Sequence, residues 1–181
     1  MKVIAIVGSP HSKGNTSYLT DVALEELAAR GIETEKIVLG ECVVNPCLGH
    51  EECGTYTVCK IKDDAPGIIK KYNHADGIIL ASPVYFYNVS AQMKAFIDRN
   101  FFTFTHGGNK KARYAGLIAI GGGGGADETI EALKRFIGLP EENCLVVTGY
   151  TGQDAAKNKP GLVKKAKDMG KKLAANLKRA K

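Results

Sequence analysis

No run of apolar residues in the sequence approaches the ~18 residues that a membrane-spanning helix requires. The first apolar run, from Met1 to Val7, is too short for the apolar region of a signal peptide, and no small-residue cleavage site follows it. These absences predict a cytoplasmic protein, in a compartment where disulfides are rare. The sequence also lacks an internal repeat and a linker, so we expect its 181 residues to form one domain over 1–181.

Aromatic residues are absent from the most basic part of the chain, which argues against a nucleic-acid-binding surface. Residues 155–181 contain ten Lys or Arg and one acidic residue, whereas residues 1–154 contain fifteen basic and eighteen acidic residues. Apolar residues recur at helical spacing in the basic segment, namely Leu162, Ala166, Met169, Leu173 and Leu177. We therefore interpret the net charge of +6 as the solvated face of an amphipathic terminal helix.

Apolar runs alternate along the chain with helical patterns. The candidate strands are Lys2–Val7, Glu35–Leu39, Gly77–Ala81, Tyr114–Ile120 and Cys144–Thr148. The candidate helices are Asn15–Arg30 closed by Gly31, Pro66–Asn73, Ser90–Arg99, Asp127–Ile137 and the basic terminal helix. Strands that are apolar on both faces belong to a parallel sheet covered on two sides, so this alternation predicts a doubly wound α/β fold in three layers. Ligands of such folds bind beyond the carboxyl ends of the strands, which makes the loops after the strands the candidate functional segments.

The loop after the first strand, Gly8 to Ser17, is dense in glycine, hydroxyl and amide groups. A phosphate at a helix N-terminus requires short side chains, free backbone N–H groups and hydroxyl donors, and this loop can supply all three. The loop is not a P-loop, because Lys13 stands where the second glycine belongs. A polar turn capped by Asn15 or Thr16 explains the same residues equally well.

Two further loops at the predicted sheet edge favour a planar ligand. The segment Ser82 to Asn88 places three aromatic residues together, and these either pack inward or meet a flat ligand. The run Gly121–Gly125 leaves the backbone bare, so main-chain N–H groups can approach a heterocycle. A core cluster, a flexible linker or a nicotinamide-binding glycine motif are the alternatives for these loops. Together the three loops predict a site for a phosphorylated aromatic ring system.

Three segments of the sequence carry a resemblance to a known family. They are Gly8-Ser9-Pro10 with Gly14-Asn15-Thr16-Ser17, then Ser82-Pro83-Val84-Tyr85-Phe86, then Met93-Lys94-Ala95-Phe96-Ile97-Asp98-Arg99. In order and spacing the sequence resembles the flavodoxin-like NAD(P)H-dependent FMN reductase family over nearly its whole length. The resemblance implies a five-stranded parallel sheet of strand order 2-1-3-4-5 with helices on both faces.

The resemblance also implies which residues hold FMN. The phosphate would be held by Ser9, His11, Ser12, Gly14, Asn15, Thr16 and Ser17. The ribityl chain and isoalloxazine would be lined by Pro83, Val84, Tyr85, Phe86 and Asn88, with Gly121, Gly122, Gly123 and Gly124 near the pyrimidine edge. Members of the family usually carry arginine at the position of His11, so the positive charge there would be weaker and pH-dependent.

Four of the five cysteines lie in one long loop at about residues 40–64. They are Cys42, Cys47, Cys53 and Cys59. A connection of this length in a compact domain is commonly functional. The loop resembles the cysteine segment of the iron–sulfur flavoproteins, a branch of the same family in which four cysteines bind a [4Fe–4S] cluster. In this chain His50 stands at the second cysteine position.

Three outcomes remain open for the cysteine loop. Cys47, Cys53 and Cys59 could hold a cluster together with His50 or Cys42, since an imidazole can replace a thiolate. The same three cysteines and His50 could hold zinc. The loop could also bind no metal and keep its cysteines as small buried side chains. Cys144, at the start of a predicted strand, is expected in the core.

The predicted function is that of an FMN-dependent oxidoreductase that takes electrons from NAD(P)H or from a donor protein. The flavin carries the chemistry of such enzymes, so no side chain need act as an acid or base. The alternative is a non-catalytic electron carrier or binding module of flavodoxin type. A response-regulator-like domain is disfavoured, because Gly8-Ser9-Pro10 stands where that fold needs acidic residues. The resemblance further implies a homodimer or homotetramer.

Overall fold

The computed structural model describes residues 1–180, and its centre is a five-stranded sheet in which every neighbouring pair of strands is parallel. The strands are β1 (Lys2–Val7), β2 (Glu33–Val38), β3 (Gly77–Pro83), β4 (Ala115–Gly121) and β5 (Cys144–Tyr150). Their spatial order is β2-β1-β3-β4-β5, which confirms the predicted order. Ile6 of β1 is aligned with Ile37 of β2 on one side and with Leu80 of β3 on the other, so a row of apolar side chains crosses the sheet.

Six helices surround this sheet in the described part of the chain. They are α1 (Asn15–Ala28), α2 (Ala65–His74), α3 (Ala91–Arg99), α4 (Phe101–Thr105), α5 (Ala126–Ile137) and α6 (Pro160–Arg179). Helices α1 and α6 cover one face of the sheet, and α2, α3 and α5 cover the other. Helix α4 is not predicted by the sequence pattern, because its single turn follows α3 directly and is too short to show a period. Within residues 1–180, no helix combines the length and apolar character needed to cross a bilayer.

Each face of the sheet has its own hydrophobic core. On one face Leu19 and Leu27 of α1 meet Leu173 of α6, and all three side chains are fully buried. On the other face the rings of Tyr72 and Phe96 pack edge to face with centroids 5.5 Å apart. The five apolar positions predicted for α6 are all buried, so the helical spacing in the basic segment identified the correct face.

The boundaries of several elements differ from the prediction by one or two residues. The sequence predicts β2 from Glu35, whereas the strand begins at Glu33, because this edge strand carries polar residues that hide its start. Helix α1 ends at Ala28, two residues before the predicted Arg30, and Gly31 lies in the turn that follows it. There the N–H of Gly31 donates to Ala28 and the N–H of Ile32 donates to Leu27, with a φ of +75° at Gly31.

Candidate functional site

The carboxyl edge of the sheet brings the predicted ligand loops together. Ser90 links two of them, because its hydroxyl donates to the Gly8 carbonyl while its N–H donates to the Ser82 hydroxyl at 3.0 Å. The N–H of Thr151, after β5, donates to the Gly121 carbonyl at 3.0 Å. The loops after β1, β3, β4 and β5 therefore form one continuous surface, which we call the carboxyl-edge site (residues 8–17, 82–90, 121–125 and 151–156).

The N-terminus of α1 is open toward this site. Its N-cap residue is Gly14, with φ −76° and ψ 173°, and no side chain caps the helix. The predicted alternative of a turn capped by Asn15 or Thr16 is therefore wrong. The backbone N–H groups of Thr16 and Ser17 have no acceptor within residues 1–180. Free N–H groups and the helix dipole make such an end a site for an anion, and a phosphate fits it.

Small hydroxyl side chains surround the same helix end. Thr16 is 3% exposed and Ser17 is fully buried. The Ser9 hydroxyl accepts a hydrogen bond from the His11 N–H at 3.1 Å and donates to the His11 carbonyl at 3.0 Å, which tightens the turn. Ser12 is half-buried, whereas the His11 side chain is exposed. This arrangement places backbone N–H groups and small hydroxyl groups together, and the Lys36 ammonium, which pairs with Asp21, donates to the Ser17 hydroxyl at 3.1 Å.

The Asn15 side chain binds the loop between β5 and α6. Its side-chain amide donates to the Thr151 hydroxyl at 3.0 Å and to the Asp154 carbonyl at 3.1 Å, and its oxygen accepts from the Ala156 N–H at 2.8 Å. Asn15 thus holds the loop between β5 and α6 against the start of α1. This loop is not among the predicted ligand loops, although the predicted position of β5 in a parallel sheet is a signal for it, since the carboxyl end of β5 lies at the same edge.

The aromatic loop is a tight hairpin. Tyr85 and Asn88 exchange backbone hydrogen bonds of 2.9 and 3.1 Å, and the two residues between them have positive φ, 49° at Phe86 and 60° at Tyr87. Positive φ at both central positions is typical of a type I′ turn, which favours Asn and Gly rather than aromatic residues. Phe86 is fully exposed. Strained backbone that carries an exposed ring is a feature of ligand-binding sites.

Glycines on the neighbouring loop make room for this hairpin. Gly125 has a φ of +80°, and a Cβ there would lie 2.7 Å from the Cα of Tyr87 and 2.8 Å from Val84. Gly124 lies against the Tyr87 ring. At Gly122 and Gly123, by contrast, a Cβ would have nothing within 4 Å. Gly124 and Gly125, at the end of the run, therefore allow close packing against the hairpin. Gly122 and Gly123, in its middle, leave their backbone open at the carboxyl-edge site.

The cysteine loop starts beside the phosphate-binding segment and then covers α3. A Cβ on Gly40 would lie 2.8 Å from both the Pro10 Cα and the Ser9 carbonyl oxygen, so the two loops touch at this point. Further along, the N–H of Val43 donates to the Asp64 carboxylate at 2.8 Å, and the N–H of Asp64 donates to the Val43 carbonyl at 2.9 Å. These bonds close the base of the loop.

Arg99 of α3 holds the cysteine loop in place through a buried ion pair with Asp63. Its side chain is 1% exposed and contacts the Asp63 carboxylate, which is fully buried. The same guanidinium donates to the Asn45 carbonyl at 3.1 Å and contacts the Cys59 sulfur at 3.4 Å. Burial alone would raise the pKa of Asp63, but hydrogen bonds from Arg99 and from the Asn45 and Ala65 N–H groups outweigh it and lower that pKa.

The four predicted metal ligands are not gathered in this arrangement. Cys47, His50, Cys53 and Cys59 are each half-buried, and all three cysteines are free thiols. Among residues 1–180, no three His, Cys, Asp or Glu side chains come close enough to share a metal ion. Burial raises the pKa of the alternative ligand Cys42, whose thiol contacts the Val38 carbonyl at 3.5 Å. As they lie in the structure, these side chains do not fit a cluster or a zinc ion.

Comparison with known proteins identifies the family. Residues 1–163 match the family described as NADPH-dependent FMN reductase. The chain belongs to this family. This FMN reductase family member is 39% identical to an iron–sulfur flavoprotein of Methanocaldococcus jannaschii. The match covers 98% of the present chain and 93% of the relative. An iron–sulfur flavoprotein of Archaeoglobus fulgidus is 35% identical over 96% and 79% of the two chains.

A solved structure agrees with the observed fold. The FMN-dependent NADH-azoreductase of Bacillus anthracis in complex with FMN superposes with a TM-score of 0.71 at 15% identity, over 96% of this chain and the whole of that one. At this identity the similarity concerns the fold. Family membership makes this FMN reductase family member an FMN-dependent oxidoreductase with NAD(P)H as its class of electron donor. This result favours the enzyme over the predicted alternative of a non-catalytic carrier.

Proposed function

We propose that this protein binds FMN at the carboxyl-edge site with its phosphate on the N-terminus of α1. The observation that carries the proposal is the uncapped helix end, where the N–H groups of Thr16 and Ser17 are free and lie among small hydroxyl groups. The phosphate would also contact Ser9 and Ser12, with the exposed His11 side chain at the rim of the site. Asn15 would act through the loop that it holds.

The isoalloxazine would lie between the aromatic hairpin and the glycine run. Tyr85 and Phe86 would supply flat apolar surface, and Pro83 and Val84 would form the base. Asn88 would offer its side-chain NH2 group, since its side-chain oxygen accepts from the Val89 N–H at 2.8 Å. The open backbone at Gly121 to Gly124 would approach the pyrimidine edge of the ring. Bound FMN supplies the hydride-accepting chemistry, and the chain's own residues bind the ring, orient it and limit its exposure to water.

The phosphate assignment is tested with FMN and riboflavin, which differ in the phosphate. The variant Ser9→Ala with Thr16→Ala removes two hydroxyl groups beside the helix end. We expect its Kd for FMN to rise more than about a hundredfold and its Kd for riboflavin to stay unchanged, because each of the two lost hydrogen bonds to a charged group costs about 1.5–3 kcal/mol. Quenching of flavin fluorescence measures both constants.

Thr57→Ala is the matched control, since Thr57 is an exposed threonine on the cysteine loop. Its affinity for FMN should equal that of the unmodified protein. Equal weakening of FMN and riboflavin binding in the double variant would show that the phosphate lies elsewhere. Oxidation of NADPH by the FMN-loaded protein, followed at the nicotinamide absorbance, tests the reaction itself.

We further propose that the protein acts in the cytoplasm as one domain over residues 1–181 and assembles into a homodimer or homotetramer. Exposed apolar side chains support an interface, since Phe86 is fully exposed, Phe104 is 78% exposed and Tyr87 is 65% exposed. Light scattering of the FMN-loaded protein measures the mass of the assembly. A monomer at micromolar concentration would refute the oligomer.

A second candidate function concerns electron transfer through a metal cluster. It is favoured by the relatives named iron–sulfur flavoproteins, which match nearly the whole chain. Cys47, His50, Cys53 and Cys59 would have to move together to form such a site, and we derive no reaction step from it. Anaerobic purification followed by iron, sulfide and zinc analysis distinguishes the three outcomes. Four irons and four sulfides per chain would establish the cluster, one zinc would establish the zinc site, and a metal-free protein would refute both.

A further inference from the structure

A cavity of about 310 Å³ lies between the cysteine loop and helices α2, α3 and α4. None of the residues that line it belongs to the carboxyl-edge site, so an inference about it goes beyond the proposed function. Its volume lies at the lower end of the range for small-molecule sites. Its lining combines apolar walls with basic groups, and no carboxylate lines it within residues 1–180.

The apolar walls come from three different elements. Val58 of the cysteine loop lines the cavity, and at 67% exposed it contacts little protein surface of its own. Ile69 of α2 is buried opposite, and Phe102 of α4 stacks on the His106 ring with centroids 4.2 Å apart. His106 in turn hydrogen-bonds the Tyr56 carbonyl through its Nε2 at 2.6 Å. The loop is therefore anchored to α4 beside the cavity, and the walls are formed in advance.

The basic groups leave hydrogen-bonding capacity unused. Arg99 is 2% exposed, and its Nε is a buried nitrogen with no hydrogen-bond partner, although its two other nitrogens are occupied. Lys70 and His74 of α2 form no salt bridge with any carboxylate of residues 1–180. His74 uses Nδ1 to contact the Lys70 carbonyl at 2.7 Å, so its Nε2 remains available. A buried donor without a partner is costly, and an acceptor in the cavity would relieve that cost.

We propose that this cavity binds a small carboxylate with a flat apolar body. Lys70 and His74 would meet the carboxylate at the rim, since charge-assisted hydrogen bonds between such groups are strong. Arg99 would offer its unpartnered Nε–H from the floor. Val58, Ile69 and Phe102 would enclose the apolar body and remove it from water. A neutral ligand of the same shape would gain only the apolar contacts.

The test uses 2-naphthoate and its neutral carboxamide as probes with the FMN-loaded protein. Saturation-transfer NMR titrations give the Kd of each probe. We expect 2-naphthoate to bind about tenfold more tightly than the carboxamide, and the variant Lys70→Gln with His74→Gln to remove this difference. Lys171→Gln with Lys172→Gln, on the exposed face of α6, is the matched control and should leave both constants unchanged. Equal binding of the two probes, or no effect of the α2 variant, overturns the proposal.

A second measurement locates the probe without any substitution. Cys59 lines the cavity, whereas Cys53 does not. In protein shown by metal analysis to hold no iron or zinc, bound 2-naphthoate should slow alkylation of Cys59 by iodoacetamide and leave that of Cys53 unchanged, as measured by mass spectrometry of the peptides. Unchanged alkylation of Cys59 at a saturating probe concentration would place the probe elsewhere and refute the assignment. Neither readout depends on flavin chemistry. A failure of the proposed FMN-dependent function can therefore be told apart from a failure of carboxylate binding in the cavity.

Discussion

The buried pair between Arg99 and Asp63 should be the most sensitive point of the cysteine loop, and Asp63→Asn tests it. The substitution keeps the shape of the side chain and removes its charge. Arg99 would then keep a buried positive charge without a compensating partner, because its side chain is 1% exposed. Breaking a buried pair by removing one partner costs about 3–5 kcal/mol. The asparagine oxygen can still accept a hydrogen bond from the N–H of Asn45 or of Ala65. We therefore expect the free energy of unfolding to fall by about 3 kcal/mol.

Urea unfolding at pH 7 and a fixed FMN concentration measures this change in the free energy of unfolding. Asp98→Asn is the matched control, since the Lys94–Asp98 pair lies on the same helix but is 59% and 42% exposed. An exposed pair contributes about 0–1 kcal/mol, so the control should change little. Equal costs for the two substitutions would refute the reasoning that burial makes the Arg99 pair sensitive.

The same pair predicts a dependence of stability on pH. The folded-state pKa of Asp63 lies below its unfolded value, so the ionised carboxylate stabilises the fold at pH values above the unfolded pKa of about 3.9. This contribution is lost as the pH falls through the folded pKa. The stability difference between the unmodified protein and Asp63→Asn should therefore be constant from about pH 5 to 8 and should shrink below about pH 4. A difference that grows on acidification would contradict the sign.

Three further predictions concern the carboxyl-edge site. Asn15→Ala should raise the Kd for FMN about tenfold and open residues 151–156 to proteolysis, since three hydrogen bonds are lost; an uncut loop would contradict this. Gly125→Ala should lower the Tm by about 5 °C or more, because a Cβ there meets Tyr87, whereas Gly122→Ala should leave it unchanged. Phe86→Asn should stabilise the FMN-free protein by about 1 kcal/mol in urea unfolding, since Asn tolerates positive φ; a loss of stability would show that the Phe86 ring packs in the folded state.

The sequence predicts the fold well because its signals are local. Apolar runs such as Lys2–Val7 define the strands, and the apolar repeat in α6 defines its buried face, both of which the structure confirms. Strand order followed from the resemblance of the loops to a family, not from periodicity. The edge strand β2 shows the limit, because half-exposed strands mix polar and apolar residues and lose a clear start.

The details of the candidate site depend on contacts that no local pattern records. Asn15 meets Thr151 across 136 positions of the chain, so its role as a holder of the β5–α6 loop could not be inferred from the phosphate-binding segment alone. Arg99 ends an amphipathic helix, where a basic residue is ordinarily exposed, yet it is buried against Asp63. The positive φ at Phe86 and Tyr87 is also unpredictable, because aromatic residues are unusual at those turn positions.

The closed base of the cysteine loop makes this segment an exchangeable module. Val43 and Asp64 are joined by hydrogen bonds in both directions, so the chain leaves and re-enters the fold at nearly the same point. Closing a loop of different length at that point changes the entropic cost only slowly with length. Residues 46–60 could therefore be shortened, lengthened or replaced by another ligand-binding segment while β2 and α2 keep their positions. Such a junction lets the same sheet carry inserted segments of different length and chemistry.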